Sequence, residues 1–351
     1  MKTRIGILLN ESMFRGIPRR RTGSEKLHLY NRAAQIHGVT LLYTSLKRID
    51  LRTDTAQGYQ YTRHKYRLVK CRLPRVIHNR SMELNRQALH KLQKLGQRHV
   101  VFNSKTRYSK YKIHRLLWAR PSLRKNLPPT QLLSKTNLNS MMKRHSSIYV
   151  KPASGSVGQG IVKLMRRSAG KWMMQTIQGK RIIEGKQAYR HLVKRTRGKT
   201  YIIQKGIDLA TFHGKPFDIR VSVQKGGSGN WQVIGMVGKV AARGRHITNI
   251  ARGGSAKPCA ALFKARGWNA ARIHHAIHEL SLSLAKHLNA KLGRLADLGF
   301  DIGIDRSGKP YFIEVNGKDQ RYSFKMAGMP DTWYKTYENP IRYAKYLSRK
   351  S

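Results

Sequence analysis

The chain has 351 residues, enough to bury a sizeable core and to divide into two or three lobes. Its 71 Lys and Arg stand against 16 Asp and Glu, a formal net charge of +55, and hydrophobic residues make up 40% of it, which is adequate for a globular protein. No apolar run approaches the roughly 18 residues that cross a bilayer, and Cys71 and Cys259 form neither a CxxC nor a disulfide framework.

The opening IGILLN (5–10) reads as a buried strand ending in turn formers, and its ILL run is too brief for a signal peptide, so a reducing, cytoplasmic setting is expected. PRVIHNRS (74–81) and HVVFNS (99–104) read as further strands. Between them SMELNRQALHKLQKLG predicts a helix carrying Met82, Leu84, Leu89, Leu92 and Leu95 and closing at Gly96. Strand, helix, strand at this spacing is a small α/β lobe. The basic, Tyr- and Arg-rich stretch 44–70 fits no periodic pattern.

Residues 107–145 read as helix and loop, interrupted by Pro121, Pro128 and Pro129. Strands then recur at SIYVKP, GIVKLMRR, KWMMQTIQG and TYIIQKGIDL, with a helical piece before the last. DIRVSVQ (218–224), the turn GGSGN and WQVIGMVGKVAA predict a hairpin. Residues 270–290 make the clearest helix, its apolar stripe Ala270, Ile273, Ile277, Leu280, Leu284 and Leu288 at spacings of three and four. His274 and His278 share a four-residue spacing that a metal could use, but they read as boundary residues of that stripe.

Five of the 16 carboxylates, Asp297, Asp301, Asp305, Glu314 and Asp319, fall in one short window. RSGK is a hairpin turn there, with Asp305 as a turn former, and PYFIEVN is the returning strand. Pairing across the turn brings Asp301 near Glu314, and the two-residue period puts Asn316 on the face of Glu314. Two carboxylates and an amide oxygen suit Mg²⁺ or Mn²⁺; strand-end acids making salt bridges are the plainer alternative.

In YVKPASGSVGQGIVKL, a strand delivers Lys151 to a loop holding Ser154, Gly155, Ser156, Gly158 and Gly160. Glycines let backbone N–H groups converge on a phosphate, and Lys151 adds a point charge. No GK[ST] ending follows and no helix opens, so this is neither a Walker A loop nor a dinucleotide fingerprint; a β-hairpin turn is the alternative. Asp218 and Arg220 alternate along one strand and face the same way. In ITNIARGGSA, Asn249, Gly253 and Gly254 can form another anion-holding loop, with Arg252 nearby.

Taken in this order, these segments resemble the ATP-grasp superfamily, specifically the YheC/YheD family associated with bacterial endospore coats. The resemblance rests on IGILLN, HNR at 78–80, FNS at 102–104, YVKPASGSVGQGI, YIIQKGIDL, FDIRVSVQ, ITNIARGGSA and GFDIGID with YFIEVNGK. It implies an α/β ATP-grasp fold: an N-terminal α/β pre-ATP-grasp lobe over 1–105, a central lobe with a glycine flap over 106–205, and a C-terminal lobe with the metal site over 206–351. It further implies ATP held by Lys110 (ahead of Lys112) and Lys151, with Gln204 and Ile207 against adenine. Asp301, Glu314 and Asn316 would hold Mg²⁺, and Arg220 and Arg321 would neutralise the transferred phosphoryl group. Lys239 stands where many superfamily members place an arginine, keeping the charge but losing the bidentate fork.

The implied activity is ligation of an unidentified carboxylate to an amine through an acyl phosphate, on a peptide or anionic polymer of the spore. Two other readings compete: a weakly catalytic ATP-binding structural protein incorporated into the endospore coat, and a nonspecific nucleic-acid binder. The charge invites a polyanionic partner, whether spore polymer, acidic peptide or nucleic acid, and QYTRHKYRLVKCRLPR (60–75) mingles Arg, Lys and Tyr, yet no nucleic-acid motif accompanies it.

Overall fold

The computed structural model describes residues 2–350 except 83–84, 156–157, 197, 245–247, 249 and 251–252. The strand Arg4–Leu9 is buried along five of its six residues and pairs in parallel with Thr40–Ser45 and Val76–Asn79, which in turn pairs with Val100–Phe102. A parallel strand buried on both faces must be continuously apolar, which is why IGILL was legible. The unplaced stretch 44–70 forms a long antiparallel hairpin, Thr55–Thr62 with Lys65–Arg72, on the far edge of this sheet. Its turn uses Arg63 and His64 at φ 46° and 62°, so the usual Asn-Gly signal is missing.

The helix Arg86–Arg98 starts with the Asn85 side chain accepting from Ala88 N and runs through Gly96, which keeps helical backbone. The expected closure at Gly96 is therefore corrected to His99, whose ring reaches the Pro74 carbonyl and Asp54. Leu92 and Leu95 are buried and Leu89 is exposed, while Leu84 lies outside the described residues.

Two antiparallel sheets follow. The central one runs Lys180–Glu184, Lys171–Gln175, Val162–Ser168, Ser147–Pro152, Tyr201–Lys205, Thr130–Leu132, covered by the helices Lys135–Arg144 and Ala188–Thr196. The C-terminal one runs Ser255–Pro258, Trp231–Val240, Lys215–Lys225, Asp297–Ile304, Pro310–Asn316. Against it lies the helix Ala270–Leu292, burying Ile273, Ile277, Leu280, Leu284 and Leu288, with His278 outside on Glu279. Two helices pack away from their neighbours in sequence. Lys110–Trp118 contributes Ile113 and Leu117 to the C-terminal core, and Pro330–Lys350 contributes Tyr337, Ile341 and Ala344 to the N-terminal core.

A buried charge cluster joins the first lobe to the third. Asp297 receives Arg80 Nη1 at 2.9 Å and Arg321 Nη2 at 2.5 Å; Arg80 also reaches Glu25 at 2.7 Å, and Arg321 donates to the Tyr30 hydroxyl at 2.7 Å. Burial pushes Asp297 up, but the charges of Arg321 and Arg80 outweigh it and hold the carboxyl far below its ordinary range. Beside it, Asn103 at φ 55° donates to the carbonyls of Asp297 (2.6 Å) and Gly317 (2.9 Å) and accepts from Ala296 and Asp297 N–H. Asn79 donates to the Asn103 carbonyl at 2.9 Å. The HNR and FNS motifs are thus splices between lobes.

Buried charges are tolerated only when paired. Asp297→Asn deprives Arg80 and Arg321 of their shared carboxylate, and a loss of about 3–5 kcal/mol is expected, read as a lowered midpoint in chemical unfolding.

Candidate active site

Between the central and C-terminal sheets lies a cleft of about 460 Å³. One wall comes from adjacent antiparallel strands of the central sheet, which present Lys151 and Gln204. Lys151 Nζ donates to Gln204 Oε1 at 2.6 Å, and Gln204 Nε2 donates to Thr130 Oγ1 at 2.9 Å. The Lys151 ammonium also lies 5.5 Å from the centre of the Tyr149 ring. Burial drives Lys151 down to about 8; Glu314 opposes that shift and Lys110 adds to it.

The opposite wall is a row of charges set by strand register. Lys239 lies opposite Asp218, Arg220 opposite Asp301, and Asp301 opposite Glu314. Lys239 Nζ bridges Asp218 Oδ1 at 3.1 Å and Asp301 Oδ1 at 2.9 Å, a task that suits a point charge better than a fork. Arg220 Nε is 3.3 Å from Asp301 Oδ1. Burial pushes Asp301 up, yet the charges of Arg220 and Lys239 win and keep it below its usual range. Asp218 goes the other way, to about 6, because burial and the Asp301 charge outweigh Lys239 and the hydrogen bond from Thr248.

One side chain spans the gap. Lys110 Nζ sits 2.9 Å from Glu314 Oε1 and donates to the Gly155 carbonyl at 3.0 Å, so the glycine loop and the acidic hairpin lie within a single lysine of each other. In the loop, Gly158 and Gly160 are left-handed at φ 64° and 71°, and a Cβ at Gly160 would stand 2.7 Å from the Tyr201 hydroxyl.

Of the residues singled out in the sequence, Lys110, Lys151, Gly158, Gln204, Ile207, Asp218, Arg220, Lys239, Asp301, Glu314 and Asn316 line the cleft. Ser154, Gly155, Gly160, Gly253 and Gly254 are placed outside its lining, while Ser156, Asn249 and Arg252 lie outside the described residues. Arg321 departs from its expected place at the phosphoryl group. It is 2% exposed and committed to Asp297 and Tyr30, because that interior carboxylate must be neutralised.

Sequence reasoning missed Thr248, Ile161, Leu209, Ile250, Ile313, Gln320, Tyr322 and Ser323, all of which line the cleft. Ile313 and Glu314 are consecutive yet both face it. The ladder slips there, Asp301 pairing with Glu314 and Ile302 with Phe312, and this bulge turns the extra residue inward. Strict alternation hides such a residue.

The donor set fits a hard divalent cation. Asp301, Glu314 and Asn316 offer oxygen only, and among the described residues no group of three or more His, Cys, Asp or Glu side chains forms a metal cage. Mg²⁺ suits so sparse a set because it usually shares its shell with water and substrate phosphates.

Three sheets, a glycine loop contacted by Lys110 beside Lys151, and an acidic hairpin opposite it define an ATP-grasp protein. The chain belongs to the YheC/D-like ATP-grasp family, whose model matches residues 98–347. Two curated relatives from Bacillus subtilis (strain 168) are similar to it. The endospore coat-associated protein YheD is 27% identical over 324 residues, covering 86% of this chain and 69% of its own. The endospore coat-associated protein YheC is 20% identical over 226 residues, covering 63% and 62%. Among solved structures, D-cycloserine synthetase DcsG shares the fold at a TM-score of 0.56 and 13% identity, over 99% of each chain.

Lys239→Met leaves Asp218 and Asp301 facing each other in the interior without their shared cation. The expected result is a loss of about 3–5 kcal/mol in chemical unfolding at neutral pH, which Lys239→Arg, keeping the charge but not the point geometry, reduces only in part.

Proposed function

We propose that the chain is an ATP- and Mg²⁺-dependent ligase that joins a carboxylate to an amine through an acyl phosphate. The observation that carries this reading is Lys110, which touches the glycine loop and Glu314 at once and so places a cation suited to phosphate between the loop and the acidic hairpin. Lys110 and Lys151 bind phosphate oxygens, while Gln204 and Ile207, with Ile161, Leu209 and Ile313, enclose the base. Asp301, Glu314 and Asn316 would hold Mg²⁺ (or Mn²⁺), which when bound would supply positive charge against the phosphate groups.

Arg220 and Lys239 stabilise the phosphoryl oxygens as a substrate carboxylate attacks the γ-phosphorus and the bond to ADP breaks. The amine then attacks the acyl carbon, phosphate departs with the bonding pair, and a proton is released as the amide forms. Closure of the glycine loop keeps water from the acyl phosphate. The strongly basic chain and its likeness to coat-associated relatives favour a peptide or anionic polymer of the spore as substrate, and a setting in the cytoplasm or the endospore coat. The same likeness supports a second reading, an ATP-binding coat component with little turnover.

Candidate peptides and amino acids should stimulate ADP release from ATP and Mg²⁺, and Asp301→Asn or Glu314→Gln should cut that rate by at least ~10²-fold. ATP binding with no acceptor-stimulated release from any pool would defeat the ligase reading in favour of the coat component.

Lys151 must be protonated to hold phosphate, and its ammonium is lost as pH rises through about 8. ATP affinity measured by calorimetry should therefore fall as pH rises through that value, and Lys151→Gln should weaken binding and remove that fall.

A further inference from the structure

The strand Lys65–Arg72 is the outer edge of the N-terminal sheet. It pairs with Thr55–Thr62 over eight positions, from Thr55 opposite Arg72 to Thr62 opposite Lys65, and among the described residues no strand pairs with its other side. Proteins normally blunt such an edge by shortness, a bulge, a proline or charge. Here the register runs without a shift, no proline falls within the eight residues, and only charge has been applied.

That charge has one sign. Residues 60–75 contain six Lys and Arg and no Asp or Glu. Lys65, Arg67, Lys70 and Arg72 are all exposed, and among the described residues only Arg72 of these four meets a carboxylate, Asp54 at 3.4 Å. The strand period puts Lys65 and Arg67 on one face and Lys70 and Arg72 on the other, each pair about 7 Å apart. Leu68 stands among them 48% exposed.

A second copy of this edge would bring cation against cation, so self-pairing is opposed. An extended acidic segment meets both demands: its backbone satisfies the free N–H and C=O groups, and carboxylates at every second residue match the spacing on either face. A nucleic acid would answer the charge but leave the edge unpaired. We infer that the edge Lys65–Arg72 is a docking site for an acidic peptide segment bound as an added β-strand, separate from the cleft and independent of its chemistry.

The test uses the full chain and a fluorescein-labelled ten-residue peptide of alternating Glu and Val, followed by anisotropy at physiological salt. Saturable binding is expected. It should weaken at least about tenfold with Lys65→Glu/Arg67→Glu, and likewise with a peptide N-methylated at every residue, which keeps every charge but has no backbone donor left on either edge. The equal charge change Lys186→Glu/Arg190→Glu, at exposed positions of the central lobe, should leave it unchanged. Equal affinity for the N-methylated peptide, or an equal loss in the central-lobe variant, would overturn the proposal in favour of diffuse attraction. Tighter binding of a twelve-residue oligothymidylate, abolished by Lys65→Glu/Arg67→Glu, would overturn it in favour of nucleic acid.

Discussion

The strand Asp297–Ile304 carries the charge arrangement on which the rest of the structure depends. Asp297, Gly299 and Asp301 follow one another at the two-residue period. Asp297 neutralises Arg80 and Arg321 between the lobes, and Asp301 neutralises Arg220 and Lys239 in the cleft. Gly299 leaves room between them for Asp319: a Cβ there would stand 2.3 Å from Asp319 Oδ1 and 2.7 Å from Arg220 Nη1. In a chain with 16 carboxylates and 71 cations, setting three acids along one buried row is a concentrated use of a scarce residue. An unpaired charge in such a place is costly, so each acid fixes the position of a cation and each cation fixes the next acid.

This coupling explains how the cleft holds its geometry. The groups suited to phosphate are already positioned by the carboxylates suited to metal, through Lys110 on Glu314 and Lys239 on Asp301. Arrival of a polyphosphate with its cation would exchange one set of ion pairs for another without stranding a charge in the interior. The opposite displacements of Asp218 and Asp301 follow from the same row, since Asp301 holds two cationic neighbours and Asp218 shares one with it.

What the sequence disclosed was whatever a short period encodes. The apolar run of Arg4–Leu9, the stripe of Ala270–Leu292 and the hairpin that sets Asp301 opposite Glu314 all follow from local spacing. Asp305 behaves as the turn former it resembles, accepting from Ser307 and Lys309 N–H. Features that depend on distant partners were hidden. The hairpin ending at Arg63 and His64 carries no glycine signal, and the bulge at Ile313 breaks the alternation that would have found it. Arg321 looks like any arginine near an acidic hairpin, and only the fold shows that Asp297 and Tyr30 claim it. The return of Pro330–Lys350 to the N-terminal core is likewise invisible in local pattern.

The central claim is that the cleft takes a nucleoside triphosphate and a divalent cation together. Calorimetric titration of the whole chain with a nonhydrolysable ATP analogue, with and without Mg²⁺, tests it most directly. Saturable uptake that strengthens with Mg²⁺, and loses that metal dependence in Glu314→Gln, is the result this arrangement requires. Absence of uptake, or uptake indifferent to both the metal and Glu314, would contradict it.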